Sequence, residues 1–224
     1  MNLKLSILFC VFPLFLMSQD KKDIYAKYYE DQFYVGLQYN TLIFKSDATK
    51  NNGVPFSFQF GFIKDVPFNK QRNLALGIGV GYGYETLRPS VSITDNNGFF
   101  EFKANKNLSN YKYTSHNLEV PLEFRWRTST STNSSFWRIY TGTSLVYSFS
   151  NKAELDSNTT PISFRNIDEL QKVNYSLYTS LGYGSLNFHI KYYLKPIFKD
   201  SVRTLDAQKL GFHQLKIGVM FYIL

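Results

Sequence analysis

Cysteine is nearly missing from this sequence of 224 residues, which contains only Cys10. That residue sits inside an N-terminal apolar run. A chain cleaved after the run has no disulfide and no thiolate metal site. Phe9 precedes it, where a lipidated cysteine needs a small residue, so lipidation is not expected. Long hydrophobic runs are missing too. Past the N-terminus no segment offers roughly 18 consecutive apolar residues, and mean hydropathy is −0.25. A helical membrane protein is excluded. Runs of like charge are also absent. The net charge of +8 comes from 25 Lys and Arg scattered among 17 Asp and Glu, without a basic helix or cluster, so no nucleic-acid partner is expected.

The N-terminus reads as an export leader. Lys4 gives it a positive start, the mostly apolar run Leu5 to Met17 follows, and Ser18 is a small residue at a plausible cleavage point before Gln19-Asp20-Lys21-Lys22-Asp23 turns polar. Thirteen residues are short for a spanning helix, which needs about 20. Residues 1–18 are therefore expected to be a cleaved signal peptide, 19–32 a periplasmic tail and 33–224 the folded domain.

Aromatic residues are abundant, at 18% of the chain with 17 Tyr and 21 Phe, and they recur at every second position. Leu74, Leu76, Ile78, Val80, Tyr82 and Tyr84 alternate with Ala75, Gly77, Gly79, Gly81, Gly83 and Glu85. Glycine weakens a strand, so four on one face need a reason. Inside a narrow closed barrel they leave room for long side chains from other strands and permit tight curvature. Phe56, Phe58, Phe60 and Phe62 repeat the alternation, as do Leu118, Val120, Leu122, Phe124 and Trp126 against Glu119, Pro121, Glu123 and Arg125. Eight such segments occur, near 33–44, 54–63, 74–86, 115–127, 136–149, 173–184, 185–198 and 211–224. Period two over this length predicts an all-β fold: a closed, antiparallel, up-and-down transmembrane β-barrel of about eight strands. A soluble lipocalin-type barrel would put its apolar residues inside. Here the polar face carries the charges, and the aromatic face requires lipid.

The connectors at 45–53, 87–114, 150–172 and 199–210 are longer on average than those at 64–73, 128–135 and Gly184-Ser185. The longer set is expected outside the cell and both termini in the periplasm. Within 87–114, Val91-Ser92-Ile93 and Phe99-Phe100-Glu101-Phe102 suggest a hairpin extending the third and fourth strands. Trp126 and Trp137 flank the 128–135 turn, where an interfacial aromatic belt is expected.

Strand parity directs Glu85, Glu119, Glu123, Arg125, Arg138, Lys191 and Lys216 into the lumen. The functional reading of this set is an ion path or an acid–base pair. The structural reading is a salt-bridge network that plugs a barrel just wide enough for side chains to fill, and it is preferred. Pro121, lacking a donor in mid-strand, argues for a bulge there. Of the three histidines, His189 points inward, while His116 and His213 lie near the outer rim on non-neighbouring strands. Ser115 faces away from His116, so no nucleophile–base–carboxylate set is legible. No catalytic residue, cofactor or metal ligand is assigned. Asp156, Asp168 and Glu169 make only a weak calcium candidate.

Lys216-Ile217-Gly218-Val219-Met220-Phe221-Tyr222-Ile223 resembles the terminal strand of bacterial outer-membrane barrels. The resemblance implies a signal read by the barrel-assembly machinery, with Lys216 and Gly218 on the lumen face and Phe221 and Ile223 on the lipid face. The same strand, with residues 31–37, 61–67, Leu118-Glu119-Val120-Pro121-Leu122-Glu123-Phe124-Arg125-Trp126-Arg127 and Phe136-Trp137-Arg138-Ile139-Tyr140, resembles the PorT-like outer-membrane barrels of Bacteroidota. That family's namesake is associated with type IX secretion and gliding motility. The resemblance implies a non-enzymatic barrel embedded in outer-membrane lipid, with protein partners in a larger assembly. A narrow diffusion pore and a surface-binding, adhesin-type barrel are the alternatives.

Overall fold

A computed structural model of the chain describes residues 31–43, 53–69, 71–96, 99–104, 111–128, 136–155, 162–204 and 210–223. The expected leader lies outside these residues, as does the expected tail except for Asp31 and Gln32. Eight strands close the wall: β1 (Gln32–Ile43), β2 (Phe56–Pro67), β3 (Leu74–Leu87), β6 (Tyr111–Arg127), β7 (Trp137–Leu155), β9 (Val173–Tyr183), β10 (Leu186–Tyr193) and β11 (His213–Ile223). Each pairs antiparallel with its neighbours, and β1 meets β11 from Phe33↔Ile223 to Ile43↔His213. The fold expected from alternation, a closed eight-stranded antiparallel barrel, is the fold found. Its strands are rich in β-branched and aromatic residues, which suit a pleated surface. Parity then sorts them, with Phe33, Leu37, Ile78 and Phe188 outward and Gln32, Gln38, Asn187 and His189 buried.

Short connections sit at one rim. The tightest is Gly184-Ser185, where Gly184 takes φ +60. That left-handed conformation suits glycine, and there is open space around the position. The other rim is uneven. β6 has 17 residues and β7 has 19, against 8 in β10. The β6–β7 pair therefore rises above the rest, and β8 (Ile162–Arg165) pairs with its upper end from Lys152↔Arg165 to Leu155↔Ile162.

Two expectations need correction. β4 (Val91–Asn96) and β5 (Phe99–Ala104) do not extend β3 and β6 but form their own two-stranded sheet. Val91, Ile93 and Phe102 are buried, which draws this hairpin over the barrel mouth. Pro121 makes no bulge. The β3–β6 ladder omits Gly79 and Val80 beside it and resumes in unchanged register at Gly81↔Glu119. A missing donor interrupts pairing without inserting a residue. The irregularity falls instead between His116↔Ser150 and Asn117↔Ser148, leaving Phe149 as the extra residue.

Candidate functional site

Among the described residues, the inward face carries five buried cations (Arg125, Arg127, Arg138, Lys191, Lys216) and four buried carboxylates (Asp65, Glu85, Glu119, Glu123). They gather at separate levels. Toward the short-turn rim, Asp65 lies between two guanidiniums. Arg127 donates to it at 2.9 and 2.8 Å and Arg125 at 3.0 Å. Arg125 Nε also donates to Glu123 at 2.8 Å, and the Tyr178 hydroxyl donates to Glu123 at 3.1 Å. Gly77 makes the lowest level possible, since a Cβ there would lie 2.7 Å from Arg125 Nε.

Above this, Tyr34, Tyr140 and Tyr222 cross the lumen, with ring centroids 6.4 Å apart for Tyr34–Tyr222 and 5.2 Å for Tyr140–Tyr222. Tyr34 lies in the trough left by Gly61 and Gly81, and a Cβ on Gly81 would come within 1.9 Å of its hydroxyl. His189 Nδ1 is 2.7 Å from Ser180 Oγ. Higher still, Lys191 donates to Glu119 at 2.6 Å. Glu85 accepts from Lys216, from the Tyr193 hydroxyl at 2.7 Å and from Gln214 at 3.0 Å.

At the long-connector rim the chemistry changes. Ile93, Phe102, Ile167, Phe198, Leu210 and Phe212 belong to a buried apolar cluster, with Phe198 packed edge-on against Phe102, Tyr113 and Phe212. Burial pushes the Tyr113 hydroxyl well above its ordinary pKa, and it donates to Val91 O at 3.1 Å. Between cap and lumen lies a cavity of about 70 Å³ bordered by Glu85, Asn117, Asn174 and Gln214. Another of about 20 Å³, beside Glu119, His189 and Lys191, has room for one water.

Among the residues proposed from sequence, Glu85, Glu119, Glu123, Arg125, Lys191 and Lys216 are ion-paired inside the barrel. Arg138 is buried but joins no carboxylate among the described residues. Its guanidinium stacks over Phe136 at 4.5 Å and stands 5.8 Å from the Tyr140 ring. Asp65 and Arg127, which complete the lowest level, are not in the set that strand parity supplied from the sequence. The missed signal was β2 parity, which continues outward through Lys64 and Val66 and so points Asp65 in. Lys216 is buried, and a Cβ on Gly218 would strike Leu37 O at 2.3 Å. Phe221, Ile223, Trp126 and Trp137 are exposed on the outer face.

His116 hydrogen-bonds Tyr82 at 2.6 Å on the outer wall, and His213 stacks on Tyr192. Asp156 lies outside the described residues, and Asp168 pairs with Lys172 at 2.7 Å. The described residues contain no group of three His, Cys, Asp or Glu placed to hold a metal ion. Two aromatics of the 87–114 connector serve the cap. Phe102 is buried, and Phe100 packs edge-on against Phe164 at 5.5 Å.

On β3 the outward residues run from Leu74, opposite Trp126, to Tyr84, opposite His116. At about 3.4 Å per residue and a tilt of about 40°, these ten steps rise roughly 26 Å, the height of the apolar band on outer-membrane barrels. Trp126, Trp137 and Tyr183 edge the band at one end, and Phe56, Tyr84, His116 and Phe149 edge it at the other.

The model of the family described as outer membrane protein beta-barrel domain matches residues 17–199. No curated protein matches. Among solved structures, the attachment invasion locus protein Ail of Yersinia pestis is 11% identical, with a TM-score of 0.36 over 88% of this chain and 100% of that one. The N-terminal barrel domain of Pseudomonas aeruginosa OprF is 6% identical, with a TM-score of 0.28 over 87% and 98%. A variant porin of Rhodopseudomonas blastica is 6% identical, with a TM-score of 0.21 over 88% and 100%.

Proposed function

The chain belongs to the outer membrane protein beta-barrel domain family, and from that premise we propose that this outer-membrane barrel is a non-enzymatic, non-conducting partner in a larger assembly. The observation that carries the reading is the pairing of the lumen acids. Asp65, Glu85, Glu119 and Glu123 each accept a hydrogen bond from a buried Lys or Arg. An isolated buried charge costs several kcal/mol, so the pairing of every one of these carboxylates makes the lumen a stable filling. The apolar cap adds a second obstruction. A narrow diffusion pore would require these pairs to part and the cap to lift.

The proposed orientation places the long connectors outside and both termini in the periplasm, after export by a leader removed near Ser18. Lys216, Gly218, Phe221 and Ile223 are then the assembly signal. The resemblance to PorT-like barrels of Bacteroidota makes type IX secretion and gliding the first processes in which to look for partners. The raised β6–β7–β8 wall favours a second reading, a surface-binding barrel of adhesin type.

Planar-bilayer recording tests the main reading. The purified barrel is expected to give no steady conductance, and steady channels would sink the filled-lumen account. Recovery of stoichiometric partners from mild detergent would support the assembly reading. Recovery of the barrel alone, with surface binding intact, would favour the adhesin.

A further inference from the structure

We propose that the outward face of the β6–β7–β8 wall docks the phosphorylated headgroup of an outer-leaflet lipid. The inference rests on the orientation proposed above, with the long-connector rim outside. Lys112 stands opposite Glu154, Thr114 opposite Lys152, and Lys152 opposite Arg165. Residues directly opposed in an antiparallel pair share a face, so three cations and one carboxylate share this one. Lys152 bonds Glu154, and that hydrogen bond, ahead of the pull of Lys112 and Arg165, holds the Glu154 carboxyl below its usual range. Glu154 stays ionised and cancels one cation, leaving the patch at a net charge of two.

The position of the patch selects its occupant. Directly below it is the upper edge of the lipid band, where His116 lies 6.2 Å from the Phe149 ring, 6.1 Å from Tyr82 and 5.4 Å from Tyr84. Thr114 and Lys112 are two and four residues above His116 on β6. At about 3.4 Å per residue along a tilted strand, that is roughly 5 to 10 Å above the band. The headgroup layer of one leaflet occupies about that depth. A phosphate there carries negative charge opposite a patch whose described residues sum to a net charge of two, and Arg and Lys are its usual partners. A soluble anion would have no use for the aromatic shelf beneath, whereas an acylated one would lay its chains along it.

The test uses the mature barrel purified in mild detergent, delipidated, and offered lipid A bearing two phosphates. Retained lipid is counted by native mass spectrometry. Wild type is expected to keep the lipid, and the triple variant Lys112→Gln, Lys152→Gln, Arg165→Gln to keep it about tenfold less or worse. An unchanged gel shift on boiling would show the variant folded. Equal retention by the variant overturns the proposal. So does equal retention of dephosphorylated lipid A by wild type, or displacement of the lipid by millimolar inorganic phosphate. Orientation is tested separately with Ser163→Cys, an exposed β8 position, and a membrane-impermeant maleimide. Labelling on intact cells leaves the lipid result to judge the proposal alone. Labelling only after lysis overturns the orientation and the outer-leaflet claim with it.

Discussion

Below Glu85 the barrel interior is held by ion pairs and tyrosines. Above it, Ile93, Phe102, Phe198 and Phe212 form an apolar cluster. The two fillings differ because their surroundings differ. The lower one is enclosed by a wall whose outer face meets lipid, so its side chains are fixed by strand parity and every charge there needs a partner. The upper one comes largely from connectors beyond the lipid band, where water lies outside and burial of apolar surface drives packing. A barrel can thus be closed by electrostatics within the membrane and by the hydrophobic effect above it. Damage to the two should have different consequences.

The largest effect is expected at Asp65. Asp65→Asn keeps the shape but leaves Arg125 and Arg127 without the carboxylate between them, a loss of about 3–5 kcal/mol. Urea unfolding in detergent, followed by the gel shift, measures it. An unchanged midpoint would mean the lower filling does not hold the wall. In the cap, Phe198→Ala should cost about 3 kcal/mol locally. Its signature is faster proteolysis of the long connectors with the gel shift intact. Loss of the gel shift as well would mean cap and wall unfold as one unit, erasing the distinction between the two regions.

Glu119 and Lys191 separate filling from function more finely. Lys191→Met alone leaves a buried carboxylate unpaired and should destabilise. Adding Glu119→Leu should restore stability to near wild type, because an apolar pair of similar volume often replaces a buried ion pair at no loss. A stable double variant that has lost its partners or its surface binding would show that the pair serves something besides filling. Gly81→Ala should cost about 1–3 kcal/mol by overpacking, since the new methyl displaces the Tyr34 hydroxyl.

Much of this was legible in the sequence because period two fixes both the wall and the direction of each side chain. Glu85, Glu119, Lys191 and Lys216 followed from parity alone. Parity names faces, however, and does not name partners. It turned Arg138 inward without revealing that Phe136 and Tyr140, not a carboxylate, would receive it. Asp65 was missed because β2 runs to Pro67, past the last phenylalanine of its aromatic run. The cap was legible only as a hairpin: Val91-Ser92-Ile93 and Phe99 to Phe102 announce its two strands, but nothing in them announces that it folds over the barrel mouth. Its residues come from connectors without a repeat, and their contacts, such as Leu170 with Phe198, depend on how the closed wall brings distant loops together.

The smallest expected effect sharpens the comparison most, because it concerns the residue next to Asp65. Lys64 lies on the outer face of β2, 53% exposed, and pairs with Asp31, 30% exposed, at 2.6 Å. Lys64→Ala strands no fully buried charge, because Asp31 is part-exposed and keeps its bond to the Asp65 backbone N–H, so it should barely move the unfolding midpoint. Asp31→Ala should cost more, because Asp31 also accepts from the Asp65 backbone N–H at 2.9 Å and so anchors the strand end that carries Asp65. If Lys64→Ala matched Asp65→Asn, position along β2 rather than the face of the wall would govern stability. A small effect for Lys64→Ala beside a large one for its neighbour assigns the difference to enclosure.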